Sequence, residues 1–137
     1  MYAEDAASKA LGIAVDVREA GEAVARMTVR DDMVNGFGVC HGGILFTLAD
    51  TAFAFACNGY DDRTFAAAAA IDFLRPALFG DELHALAREE YRGRKSGFYT
   101  VELRNQRDEV VAMFRGRSAS RGEPLLSPDQ TTASNEN

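Results

Sequence analysis

Asp50 stands in the middle of Ile44-Leu-Phe-Thr-Leu-Ala-Asp50-Thr-Ala-Phe-Ala-Phe-Ala-Cys57, an otherwise apolar run of helix formers. Aspartate is a poor helix former and an expensive group to bury, so a stretch of this kind keeps one for a reason. A carboxylate turned to solvent or bonded to nearby backbone is the plain alternative. The neighbours Leu48, Ala49, Ala52, Phe53 and Ala54 leave little polar surface for that. At the head of the same run stands His41-Gly42-Gly43. Glycines let a ligand approach the backbone, and the unsatisfied N–H groups at a helix start favour an oxygen carrying negative charge. Such donors can stabilise an oxyanion. A glycine turn into a helix is common, so it is the pairing with Asp50 that gives the motif weight.

Gly43 and Asp50 are seven residues apart, roughly 10 Å of helix rise, so one helix cannot bring both to one carbonyl carbon. Two copies of the helix related by a two-fold axis can, with Asp50 of one subunit facing the Gly42/Gly43 end of the other. The spacing therefore predicts an obligate dimer with two shared sites.

Cys40 and Cys57 make no disulfide framework, and with only His41 and His84 beside them they make no zinc spacing, so no metal or cofactor is expected. Cys40 adjoins His41, but adjacent residues rarely aim at one point, which argues against a thiol nucleophile. The net charge of −6 argues against nucleic acid as a partner. Residues 88–121 are nevertheless basic, nine Arg and Lys against five Asp and Glu, which suits a small polyanionic ligand as well as a solvated strand face. Arg92, Arg94 and Lys95 crowd one predicted turn.

These residues need a scaffold. At 137 residues, 47% hydrophobic and 26% charged, the chain is long enough for one globular domain. The apolar run is too short and polar to span a bilayer, and the start lacks a basic leader, so a cytoplasmic protein without a membrane partner is expected. Residues 3–11 read as a short helix, 13–17 and 23–29 as a hairpin, 31–40 as a loop, and 43–57 as a helix ended by Asn58-Gly59. That helix is apolar nearly all round, so something must wrap it. Five alanines at 66–70 favour helix intrinsically, yet the flanking Ile71-Asp-Phe-Leu74 and Pro76 suit a strand. Residues 81–91, 98–105 and 109–118 read as a meander, Tyr99, Val101 and Leu103 sharing one face. From Gly122 onward nothing is periodic, and 121–137 is expected to be a disordered tail on a domain spanning 1–120. An antiparallel sheet curled around one central helix is the α+β arrangement that buries such a helix.

Asn35-Gly-Phe-Gly-Val-Cys-His41-Gly-Gly, Asp50, Ile71-Asp-Phe-Leu-Arg-Pro76 and Phe114-Arg-Gly-Arg117 together resemble the hotdog-fold acyl-CoA thioesterases, most closely the phenylacetate-pathway (PaaI-type) branch. The likeness covers about residues 5–120. It implies hydrolysis of an aryl or arylacetyl-CoA thioester, with Asp50 as nucleophile or as general base for water. It further implies that the Gly42 and Gly43 amides polarise the carbonyl, that His41 lies near the sulfur, that Asn35 positions substrate or water, and that dimers pair into tetramers. A non-catalytic acyl-CoA binder and a hotdog hydratase are the rival classes. For the phosphates of coenzyme A the candidates are Arg94, Lys95 and Ser96, with Arg75 and Arg117; Phe37, Phe46 and Phe53 are candidates for an aromatic pocket.

One departure from that pattern stands out. Several relatives supply a Ser or Thr hydroxyl to the attacking water from the strand after the helix, whereas residues 65–71 carry none here, and Thr64 is the nearest.

Overall fold

The computed structural model describes residues 2–60 and 63–120, and the expected tail lies outside them. After a 3₁₀ turn at Tyr2–Glu4 come α1 (Ala6–Ala10), β1 (Ala14–Glu19), β2 (Glu22–Thr28), a second 3₁₀ turn at Asp31–Met33, α2 (Gly42–Cys57), β3 (Thr64–Phe73), β4 (Glu82–Arg92), β5 (Ser96–Arg104) and β6 (Val110–Ser120). Every expected element is present within a few residues. The first helix is split in two, α2 begins one residue earlier, on Gly42, the loop expected over 31–40 opens with the 3₁₀ turn Asp31–Met33, and the strand expected to end at Pro76 stops at Phe73.

The six strands form one antiparallel sheet in the order β1-β2-β4-β5-β6-β3. The β1–β2 turn needs Gly21, whose φ of +88° lies in the left-handed region and whose missing Cβ leaves room for Glu89 and Tyr60. The alanine run forms strand because β6 is there to pair with it, from Thr64↔Ser120 to Phe73↔Ala112, with a bulge between Ala66 and Ala68. Tertiary pairing overrides the intrinsic helix preference of alanine.

Helix α2 lies across one face of the sheet. Ala23, Ala25, Ala85 and Ala87 on the central strands are fully buried, and their small side chains let the helix come close. Phe53 seats its ring over Gly116, where a Cβ would stand only 2.9 Å from Phe53 Cζ. Tyr99 and Phe114 flank that ring at centroid distances of 5.5 and 5.7 Å. The sheet wraps the helix on one side only. Gly43, Thr47, Asp50 and Ala54 form a stripe along α2 that is not fully covered. Edge strand β3 is open as well, with Ala66 through Ala70 exposed.

Candidate active site at the start of the long helix

Two backbone bonds aim the chain into α2. The Cys40 N–H donates to Ala77 O at 2.7 Å and the His41 N–H to Met33 O at 2.8 Å. The loop before them is shaped by Asn35, whose Oδ1 accepts from the Phe37 and Val39 amides at 2.9 and 3.3 Å. Its Nδ2 group makes no bond to any described residue. Asn35 thus has a positioned donor to spare.

His41 is the N-cap of α2: its Nδ1 accepts the Gly43 N–H at 3.2 Å. A ring that accepts at Nδ1 carries its proton on Nε2. The arrangement also separates the two glycines. The Gly43 amide is engaged by the imidazole, while the Gly42 N–H has no acceptor among the described residues. A Cβ on Gly42 would stand 3.1 Å from Phe73 Cζ, so the Phe73 ring lies directly over this helix start while keeping 54% of its surface exposed.

Two turns further along, Asp50 is half-buried. No described residue gives its carboxylate a hydrogen bond or a salt bridge. Desolvation, and then the nearby Asp5 carboxylate, push its pKa above the ordinary carboxylate value. Thr47, one turn before it, donates its hydroxyl to Gly43 O at 2.9 Å. The nearest strand hydroxyl is not available to Asp50, because Thr64 Oγ1 contacts both Cys57 O and Cys57 Sγ at 3.1 Å, at the far end of the helix. Burial lifts the Cys40 thiol to about 11, which leaves it a poor nucleophile at neutral pH.

The other expected site residues are scattered. Phe53 is 0% exposed in the core, so it cannot line a pocket: its helix position faces the sheet. Phe46 is partly buried edge-on against Phe114 at 5.3 Å, and Phe37 is 91% exposed on the loop. Arg75 follows β3, its N–H donating to Val111 O at 3.2 Å and its guanidinium lying 3.8 Å from the Glu109 carboxylate. Arg94 and Lys95 lie in the β4–β5 turn at the opposite end of the sheet and Ser96 opens β5; Lys95 O accepts from Ser120 N and Ser96 O from Gly93 N, both at 2.7 Å. Arg117 alternates with the buried Gly116 and Ser118 and so lies on the sheet face away from α2, which takes it out of this cluster. Phe73 is the residue the sequence reading passed over. Its place two residues after Ile71 on the same strand face was the available signal.

A carboxylate without partners among the described residues, a helix start with an unengaged amide and an open apolar wall, carried on a hotdog sheet, define the class. Residues 37–112 match the profile of the Thioesterase superfamily, and the chain belongs to that family. It is 50% identical over 118 residues to the acyl-coenzyme A thioesterase PaaI of Escherichia coli, covering 86% of this chain and 84% of that one. It is also 34% identical over 116 residues to a putative esterase of Archaeoglobus fulgidus, covering 85% and 75%. Among solved structures, that of the E. coli PaaI protein from the phenylacetic acid degradation operon superposes with a TM-score of 0.89 at 48% identity, covering 92% of this chain and 91% of that one. A mutant of phenylacetic acid degradation protein PaaI from Thermus thermophilus gives 0.80 at 36% identity, covering 84% and 98%.

Proposed function

We propose that this protein hydrolyses the thioesters of aryl and arylacetyl groups with coenzyme A, such as phenylacetyl-CoA or its hydroxylated forms, to the free acid and CoA. The chain is an acyl-CoA thioesterase by family and by its likeness to the E. coli enzyme. The observation that carries the reading is Asp50, a half-buried carboxylate that no described side chain or amide bonds. In this role it attacks the thioester carbonyl or draws a proton from the attacking water. The Gly42 N–H, aided by the positive end of α2, stabilises the oxyanion. The Nε2–H of His41 faces the leaving sulfur, and the Asn35 amide group orients substrate or water. Phe73, with Phe37, walls the acyl side.

The site is completed by a second copy. Two β3 edges pairing antiparallel about a two-fold axis would join two sheets into one, satisfy the open edge and cover the uncovered stripe of α2. The same operation carries the Arg94–Lys95 turn of one subunit toward the helix start of the other, where CoA phosphates would extend. Two such dimers associate into a tetramer, and the enzyme works in the cytoplasm, as suits a substrate too highly charged to cross membranes.

A panel of acyl-CoA esters assayed for thiol release tests the activity. Arylacetyl esters are expected to give the highest kcat/KM, and binding without thiol release would favour a non-catalytic binder. Mixing D50N subunits with G42P subunits tests the shared site, because proline fits a first helical position while deleting its N–H. Two nearly inactive parents should regain activity on subunit exchange.

A further inference from the structure

The N-terminal helix has no part in the site as described so far, yet its docking is built from polar groups where apolar ones would serve. Asp5 caps α1, and both of its carboxylate oxygens are held by one residue: Oδ1 accepts from Ser8 N at 3.1 Å and Oδ2 from Ser8 Oγ at 2.8 Å. Ser8 is 2% exposed, and its hydroxyl meets that of Thr51, 6% exposed, at 2.9 Å. Thr51 Oγ1 in turn lies 2.8 Å from Thr47 O. A chain of three links therefore runs from the Asp5 carboxylate to the turn of α2 that carries Asp50. The negative end of that chain is held in place and does not swing in solvent.

The charges around Asp50 make this placement consequential. Asp5 is the one charged group of the described residues that acts on it, and it acts against ionisation. Cys57, further along its own helix, is itself pushed up, with Asp50 among the causes. Among the described residues of the inner sheet face, Glu89 and Tyr99 are titratable, Tyr99 Oη donating to Glu89 Oε1 at 3.0 Å. Among the described residues no lysine, arginine or histidine acts on Asp50; Lys9, the cation of α1, donates to Ala3 O at 2.8 Å and lies over the Tyr2 ring. We propose that Asp5 is a positioning residue of the active site: α1, docked through Ser8 and Thr51, holds a second carboxylate two side-chain contacts from Thr51, the neighbour of Asp50 on α2, and thereby sets the pH range in which Asp50 works. The inference rests on the reading of Asp50 as the catalytic carboxylate.

The chain of hydroxyls supplies a variant that removes the charge while keeping α1 docked. Its three links need three protons, and the two hydroxyls provide two. Asparagine caps a helix as well as aspartate does, and its Nδ2 can donate to Ser8 Oγ, so that Ser8 donates to Thr51 and Thr51 to Thr47 O. Asp5→Asn thus keeps the cap and completes the links while removing the charge. The Asp50 carboxyl should then titrate at lower pH in a carbon-13 NMR titration. In the pH profile of kcat the acid limb should move the same way, with plateau kcat within about two-fold of wild type. Asp5→Ser keeps a cap but shortens the reach to Ser8, and it should move the acid limb likewise. An Asp50 titration unmoved in Asp5→Asn overturns the proposal. A moved titration with an unmoved acid limb also overturns it, and assigns that limb to another group. If the wild type releases no thiol from any ester, the thioesterase reading fails instead, whatever the titration shows.

Discussion

Replacing Phe53 distinguishes a core ring from a substrate-pocket ring. The side chain is fully buried, flanked by Tyr99 and Phe114, with Gly116 beneath it. Truncation to alanine removes a complete ring from a packed site that backbone on both sides prevents from collapsing, so about 3–5 kcal/mol of stability should be lost. Each edge-on or tilted aromatic contact accounts for about 0.5–1.5 kcal/mol of that. The reciprocal change is Gly116→Ala, whose new methyl would stand 2.9 Å from Phe53 Cζ and should cost about 1–3 kcal/mol by overpacking. Because the two act on one space, Gly116→Ala should cost markedly less in a Phe53→Leu background. Urea unfolding followed by circular dichroism measures all three. Phe37→Ala, at a position 91% exposed, should change stability by less than about 0.5 kcal/mol. A Phe53→Ala protein that keeps wild-type stability but changes its acyl preference would refute this account of the core.

Further outcomes follow from the site. The pKa of Asp50 is raised in the folded protein by burial and then by Asp5, so folding favours its protonated form, and the stability it contributes is lost as pH rises through the folded value. Asp50→Asn should therefore melt higher than wild type at pH 7, with the advantage shrinking toward pH 3; a lower melting temperature at pH 7 contradicts this. Replacing Arg94 and Lys95 together with alanine should raise KM for CoA esters several-fold and weaken its salt dependence, with kcat little changed. A thioester of N-acetylcysteamine, which lacks the nucleotide, should be hydrolysed equally by both proteins, and an equal loss on both substrates would remove the turn from phosphate recognition. Cys40, a buried thiol lifted to about 11, should resist iodoacetamide at pH 7.5, and Cys40→Ala should retain activity; rapid inactivation by the reagent would revive a thiol mechanism.

The elements were legible because their signals are local. The apolar run with Gly42 and Gly43 at its head and Asn58-Gly59 at its end fixes α2, and alternation fixes β5. The alanine run of β3 was legible only through its flanks, since its strand form depends on β6. The site was less so. Phe37, Phe46 and Phe53 look alike in sequence, and only the direction in which α2 faces the sheet buries Phe53 and leaves Phe73 open over Gly42. Which glycine amide stays unengaged depends on the imidazole rotamer of His41, and no spacing encodes that. The Ser8–Thr51 contact joins residues 43 positions apart, beyond the reach of periodicity.

Thiol release from phenylacetyl-CoA by wild type and Asp50→Asn, compared at one pH on the plateau, tests the central claim most directly. The substitution keeps size and shape and removes the nucleophile or base, so kcat should fall by a factor on the order of 100 or more while substrate still binds. Turnover of Asp50→Asn at the wild-type rate would contradict the account.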